Sequence, residues 1–304
     1  MKVIVTGGAG FIGSHLVDYL ITRGDEVIVI DNLSTGKRGN INPKASFFYR
    51  DICKFWRIRS LFEGIDYVFH CAALARVPLS IEKPYETHKV NVEGTINVLL
   101  ASAFAGVKKV IHSSSSSVYG DQATLPLCED MTPLNPASPY GRQKHYIETF
   151  CRDFSKARRL SIVCLRYFNV YGPRCGDDHP YSLVIGKFLK NCKEGKSSII
   201  YGNGEQTRDF THVSDVVRAN ILAAESPWAG TGAVDIINIG AGKNYSISQL
   251  AGIIGGSYNH APARSGEPLH TLADNAKAKK LLGWEPKVSL KDGIDDLKKL
   301  YGLA

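Results

Sequence analysis

The sequence predicts an α/β fold: a doubly wound parallel sheet with a smaller, mainly C-terminal substrate-binding domain. Three observations carry this. Strand-like and helix-like segments alternate through the first half, glycines stand between the first strand and the first helix, and the alternation stops near Asn169.

In order, Lys2–Thr6 is a β-branched run of the kind a buried parallel strand uses. The chain turns through Gly7-Gly8-Ala9-Gly10 into a helix over Phe11–Arg23, with Ile12, Leu16 and Leu20 as its apolar stripe beside Phe11 and Tyr19. Further strands are expected at Glu26–Asp31, Ser46–Tyr49, Tyr67–His70, Val107–Ser113 and Ser161–Tyr167, and helices over Pro84–Ala105 and Ser138–Lys156. Elements of these lengths in this alternation imply right-handed crossovers. After Asn169, Gly172-Pro173, Gly176, His179-Pro180 and Gly202-Asn203-Gly204 mark loops. Asp235–Asn238 is one more strand, and the tail from about Ser246 should hold two short helices around an exposed loop, Ala261–His270. Residues 1–166 with about 209–241 would form the sheet domain, and about 167–208 with 242–304 the smaller one.

Composition narrows the class. With 304 residues, 44% hydrophobic and 22% charged, the chain suits a globular enzyme. Met1-Lys2 opens directly into a strand, so no signal peptide is expected, and Val98–Val107 is too short to span a bilayer. The seven cysteines are scattered and form no CxxC pair, which points to a reduced, cytoplasmic setting without disulfides or a metal site. His70, His145 and His212 lack metal-ligand spacing. The net charge of +8 comes as isolated doublets such as Lys37-Arg38 and Lys108-Lys109. That pattern suits solvated helix faces and a cleft for a small polyanion better than a nucleic-acid surface.

Gly7, Gly10 and Gly13 follow a strand and open a helix in the spacing GxxGxxG. The first allows a tight turn, the second lets the backbone approach a pyrophosphate, and the third lets helix pack on strand. Phosphates then sit at the helix N-terminus, where free N–H groups and the macrodipole favour them. Asp31 ends the second strand, where an acid can bind both ribose hydroxyls and repel a 2′-phosphate, so the pattern favours NAD over NADP.

Downstream, Ser138 suits an N-cap and Pro139 the first helical position. Tyr140 then lies in the first turn, with Lys144 on the same face. The Lys144 ammonium and the helix N-terminus should lower the phenol pKa and make Tyr140 a general base near neutral pH. Ser113–Ser117 cap a strand at the carboxyl end of such a sheet, where active sites collect, and are not a linker. A hydroxyl there can donate to a substrate oxygen and relay its proton to Tyr140. Chemistry alone does not choose among the serines, because alternate residues face opposite ways.

TGGAGFIGSHL, SSSSSVYGD, YGRQK, LRYFNVYGPR and GNGEQTRDFTHVSDVV, in this order, resemble the extended short-chain dehydrogenase/reductase family, and within it the nucleotide-sugar 4-epimerases. The resemblance extends to about Leu290 and implies a Rossmann sheet, a tightly held NAD and a UDP-hexose substrate. The sugar would be UDP-glucose or UDP-galactose, or the N-acetylhexosamine pair, epimerised through a transient 4-keto form. It implies Ser115, Tyr140 and Lys144 as the catalytic set. Around the cofactor it implies Gly7, Gly10, Phe11, Ile12, Gly13, Asp31, Asn32, Asp51, Ile52, Cys71, Ala72, Ala73, Asn91, Ser113 and Tyr167, with Tyr140 and Lys144 again. Asn169, Arg208 and Arg264 would hold the diphosphate, Tyr201 would frame the uracil, and Glu267 and Thr271 would line the sugar side. Thr271 stands where a bulky tyrosine in some relatives narrows the pocket, so N-acetylhexosamines could be admitted. By the same resemblance Ser116 and Ser117 are structural. Relatives that dehydrate or decarboxylate nucleotide sugars carry an acid there. A homodimer through helices near Pro84–Ala105 and Ser138–Lys156 is implied as well, with Val98, Leu99 and Phe104 compatible with it. A related dehydratase or UDP-glucuronate decarboxylase or epimerase is the second enzyme reading, and a non-catalytic NAD-binding scaffold is a reading of a different class.

Overall fold

All the strands expected in the first half form, and they lie side by side. The computed structural model describes residues 1–176, 184–230, 234–263 and 268–303. In chain order the elements begin β1 (Lys2–Thr6), α1 (Phe11–Arg23), β2 (Glu26–Asp31), β3 (Ser46–Tyr49), α2 (Phe55–Ile58), β4 (Tyr67–His70), α3 (Val77–Glu82), α4 (Pro84–His88) and α5 (Thr95–Phe104). They continue with β5 (Lys109–Ser115), α6 (Pro139–Arg158), β6 (Ser161–Tyr167), β7 (Val170–Tyr171), α7 (Val184–Lys193), β8 (Ser198–Tyr201), β9 (Thr207–Asp209), β10 (Thr211–His212) and α8 (Val213–Glu225). The last are β11 (Asp235–Ile239), β12 (Asn244–Ser246), α9 (Ile247–Ile254), β13 (Tyr258–Ala261), α10 (Ala276–Leu282) and α11 (Leu290–Tyr301).

Seven strands make one parallel sheet in the order β11-β6-β5-β4-β1-β2-β3. The order reverses between β1 and β4, so the carboxyl ends of these strands flank the crevice in which such sheets bind ligands. One face of the sheet packs α1 and α8 through Leu16, Leu20, Val216 and Ala219, joined from the tail by Ala278, Leu282 and Trp284. The other packs α5 and α6 through Val98, Leu99, Ile147 and Cys151. A separate core gathers α7, α9 and α11 around Phe188, Leu189, Ile200, Leu250 and Ile294.

Four expectations need correction. The helix expected over Pro84–Ala105 is α4, a π-helical segment over Lys89–Gly94, and α5. The wide turn presents Asn91 inward, where its side chain bonds both backbone groups of Leu74. The strand expected to stop at Ser113 runs to Ser115, because its pairing with β6 continues to Tyr167. The tail carries three helices, the third capped by the Ser289 hydroxyl on the Asp292 N–H. The irregular middle contains α7 and α8; α8 is capped by the His212 ring, not by a Ser, Thr, Asp or Asn that would mark it in sequence.

Among the described residues no helix is long and apolar enough to cross a membrane, and no group of three His, Cys, Asp or Glu could hold a metal ion.

Candidate active site

The glycine turn after β1 forms a cradle in which backbones touch. Gly7 adopts φ 73°, where a Cβ would also come within 2.7 Å of the Ala72 nitrogen. A Cβ on Gly13 would strike the Gly7 carbonyl oxygen. Helix α1 thus abuts β1, with Phe11 and Ile12 in its first turn and no side chain capping its leading N–H groups. Asp31 is fixed beside this end: its carboxylate accepts the N–H of Ala9 at 3.0 Å and of Leu33 at 2.7 Å. Two closely approached backbones, an uncapped helix N-terminus and an acid at the end of β2 fit a dinucleotide with a free ribose 2′-hydroxyl.

The neighbouring positions are close-set. The Asn32 side chain accepts the Ser34 N–H, Asp51 accepts the Cys53 N–H, and the Ile52 carbonyl accepts from Asn97. Cys71 and Ala72 donate backbone N–H groups to the Thr6 carbonyl and hydroxyl, which draws the loop running on to Ala73 against the glycine turn.

The strand end and α6 meet next. The Ser138 hydroxyl accepts the Gly141 N–H at 3.2 Å, as an N-cap with Pro139 following should. Gly141 lacks a Cβ that would strike the Ser117 carbonyl, so the first turn of α6 lies directly on the serine turn. Tyr140 and Lys144 are both buried there. The Lys144 ammonium donates to the Ser113 carbonyl at 2.6 Å and lies 5.9 Å from the centre of the Tyr140 ring. The Ser115 hydroxyl donates to Ser117 Oγ and accepts the Ser117 N–H, both at 3.1 Å, and it is near enough to the Tyr140 phenol to lower its pKa. The Ser113 hydroxyl donates to Tyr167 Oη at 3.3 Å, and Tyr167 donates to Asn220 at 3.0 Å. These residues converge as expected.

The electrostatics differ from expectation. Burial pushes the Tyr140 phenol above its usual value; the Ser115 hydrogen bond and then the Arg76 charge pull it back. Lys144 is not among the groups that lower the phenol, and burial brings its own pKa down to about 8, so it keeps its proton at neutral pH.

On the opposite side, Asn169 adopts φ 27° and its amide donates to the Asp209 carbonyl at 3.1 Å and the Thr271 hydroxyl at 3.4 Å. Thr271 is buried and also accepts the Asp209 N–H. The Arg208 guanidinium donates to the carbonyls of Thr207 and Leu269, and not to Asp209 or Glu205 in these bonds. Tyr201 ends β8, its carbonyl taken by Gln206. Arg264 and Glu267 lie outside the described residues.

Sequence reasoning missed several residues of this region. Gln143 receives Asn91 at 2.8 Å, and Ser80 accepts the Tyr140 N–H at 3.1 Å. Glu148, buried one turn beyond Lys144, is held by Arg166 at 2.9 and 2.7 Å and by the Ser114 hydroxyl at 2.6 Å. The spacing Tyr140, Lys144, Glu148 was the available signal for Glu148.

A family model, the NAD dependent epimerase/dehydratase family, matches residues 3–240. UDP-glucose 4-epimerase of Lactobacillus helveticus is 38% identical over 317 residues, covering 98% of this chain and 94% of that protein. The solved UDP-glucose 4-epimerase of Thermotoga maritima, with UDP-glucose, superposes with a TM-score of 0.91 at 38% identity, covering 99% of each chain. UDP-glucuronic acid 4-epimerase of Bacillus cereus, in complex with UDP-4-deoxy-4-fluoro-glucuronic acid and NAD, gives 0.89 at 36% identity, covering 99% of this chain and 100% of that one.

Proposed function

The chain belongs to the NAD-dependent epimerase/dehydratase family, and from there we propose that it is a UDP-hexose 4-epimerase acting on UDP-glucose and UDP-galactose, with the N-acetylhexosamine pair admitted beside Thr271. The observation that carries this is the strand end, where Ser115 meets Tyr140 above Lys144 and the following turn, Ser116–Val118, holds no acid. Dehydration or decarboxylation of a nucleotide sugar calls for such an acid, and Ser116 and Ser117 supply none.

NAD, once bound, contributes a reversible hydride acceptor for sugar C4. The chain does the rest. Tyr140 takes the proton of the 4-hydroxyl and returns it, with Ser115 bridging hydroxyl and phenol. Lys144, held by the Ser113 carbonyl, would donate to the nicotinamide ribose. Asn169 and Arg208, with Arg264, grip the diphosphate, because a guanidinium fork suits phosphate oxygens. Anchoring the nucleotide and leaving the hexose loose lets the 4-keto sugar turn and present its other face.

Residues 1–166 with about 209–241 serve the cofactor in this reading, and the remainder serves the UDP-sugar. A cytoplasmic homodimer is part of it. Val98 and Leu99 are fully buried in the core and cannot serve the interface, whereas Phe104 is 63% exposed and Tyr146 51% exposed. Tyr146, Phe150 and Phe154 stack along α6 at 6.4 and 5.5 Å, an aromatic face suited to a second copy.

The test is incubation of the purified protein with UDP-glucose and with UDP-N-acetylglucosamine, without added nicotinamide, and proton NMR of the C4 configuration. Galacto epimers from wild type, and their loss in Tyr140→Phe, are expected. No conversion of either sugar even with NAD supplied, or normal turnover by Tyr140→Phe, would overturn the reading.

A further inference from the structure

One cation near the catalytic phenol, Arg76, has no counter-charge among the described residues. Arg76 ends the loop that leaves the carboxyl end of β4 and is the N-terminal residue flanking α3. That loop is tied to α6 on both sides of Arg76. Before it, Asn91 accepts the Leu74 N–H at 2.8 Å, donates to the Leu74 carbonyl at 3.2 Å, and donates to Gln143, the residue preceding Lys144, at 2.8 Å. After it, the Ser80 hydroxyl receives the Tyr140 N–H at 3.1 Å. The backbone of Arg76 is therefore anchored against the first two turns of the catalytic helix.

Arg166 pairs with Glu148, Arg174 with Asp18 and Arg218 with Asp215, and half-buried Arg208 donates to the Thr207 and Leu269 carbonyls. Among the described residues the Arg76 guanidinium, half-buried, makes no hydrogen bond or ion pair. Its five N–H donors, part open to solvent and without a protein acceptor among the described residues, are available to a ligand. The charge nonetheless reaches the Tyr140 phenol.

We propose that Arg76 is an anion subsite at the sugar end of the pocket, and that the substrates include UDP-sugars bearing a carboxylate next to C4, a UDP-uronate being the simplest. This rests on the epimerase reading, in which Tyr140 works at C4. The carboxylate of a uronic acid hangs on C5, the carbon adjoining C4, so a cation beside the phenol is placed to meet it. Guanidinium and carboxylate match as a two-point fork, which a neutral hydroxymethyl group cannot reproduce. The two diphosphates do not compete for this role: the nucleotide-sugar diphosphate falls to Asn169 and Arg208, and that of NAD to the glycine cradle.

The experiment compares UDP-glucuronate with UDP-glucose on the wild type, Arg76→Gln and Arg76→Lys. Wild type should epimerise the uronate. Arg76→Gln should slow both sugars through the phenol, and lower the uronate-to-glucose ratio of kcat/KM by about tenfold to a hundredfold, as loss of a charge-assisted contact implies. Arg76→Lys should recover part of that ratio. A wild type that turns over UDP-glucose but not UDP-glucuronate, or a ratio unmoved in Arg76→Gln, overturns the proposal. If neither sugar is epimerised, the epimerase reading fails. Titration calorimetry with UDP-glucuronate then still decides the subsite: weaker binding to Arg76→Gln supports it, and equal binding overturns it.

Discussion

Substitution of Arg166 by methionine should unfold the catalytic helix from the sheet more readily than any surface change. Arg166 and Glu148 are each 2% exposed at the side chain, joined at 2.7 Å through Nη2 and Oε2 and at 2.9 Å through Nε and Oε1. Arg166 also lies 4.6 Å over the Tyr119 ring, and Ser114 donates to the same carboxylate at 2.6 Å. Methionine keeps the packing of the stem and removes the charge, so Glu148 stays buried without its counter-ion. Breaking one side of such a pair costs about 3–5 kcal/mol. At roughly 2–4 °C per kcal/mol for chains somewhat shorter than this one, Tm should fall by about 10 °C. The assay is thermal and urea unfolding of the protein. Arg166→Met combined with Glu148→Leu should regain most of the loss, because both desolvation penalties disappear together and only the Ser114 hydroxyl loses an acceptor. A single variant that loses less than about 1 kcal/mol, or a double variant no more stable than the single, would show that the pair does not hold α6 to β5 and β6.

Gly13→Ala should drive a methyl group into the Gly7 carbonyl and weaken retained NAD by about tenfold or more, read from nucleotide released on denaturing the purified protein; full occupancy would refute the cradle. Burial lowers His70 to about 3, its ring nitrogens engaged by Thr6 and Thr95. The unfolded chain therefore binds the proton first, and stability present above pH 6.5 should be lost as pH falls from 6.5 towards 3. A urea midpoint flat between pH 7 and 4.5, with carboxylate contributions matched in a His70→Gln control, would contradict this. Thr271→Val keeps the volume but takes the hydroxyl from Asn169 and the Asp209 N–H, so KM for the UDP-sugar should rise several-fold with kcat little changed, and equal KM values would separate Thr271 from the diphosphate grip.

The sheet was legible because its strands are apolar runs between turn residues, and β1, β2, β3, β4 and β6 have the predicted limits. Elements held by side chains distant in sequence were not. The π-helical turn at Asn91 exists to reach Leu74 and Gln143, and nothing local announces it. Helix α8 begins at a histidine cap, against the usual cap residues. In the site, Gly7, Gly13, Asp31, Tyr140 and Lys144 could be placed from spacing, since a turn and one helical repeat fix their relations. The charge state could not. Spacing puts Lys144 over Tyr140, but only burial shows that the phenol is pushed above its usual value and the ammonium below its own. Arg76 was invisible for a similar reason: its significance is that it has no partner among the described residues, which only three dimensions display.

The five serines look interchangeable in sequence, and strand geometry separates them. Successive side chains of a strand point to opposite faces, so Ser113 and Ser115 share one side and Ser114 takes the other. Ser113 meets Tyr167, and its carbonyl holds Lys144. Ser114 meets the Glu148 carboxylate. Ser115 bonds Ser117 and lowers the pKa of the phenol. Two single substitutions should therefore fail in different ways. Ser115→Ala removes the proton bridge and should lower kcat by about 10²–10⁴, with stability reduced only by the lost Ser117 contact. Ser114→Ala leaves a buried carboxylate one donor short and should cost about 1.5–3 kcal/mol of stability, while the folded protein keeps turning over. Unfolding and NMR turnover measured side by side on both variants decide the matter. If Ser114→Ala were as inactive as Ser115→Ala at undiminished stability, the division of the run into a catalytic side and a structural side would be wrong, and the proton path would have to pass through Glu148.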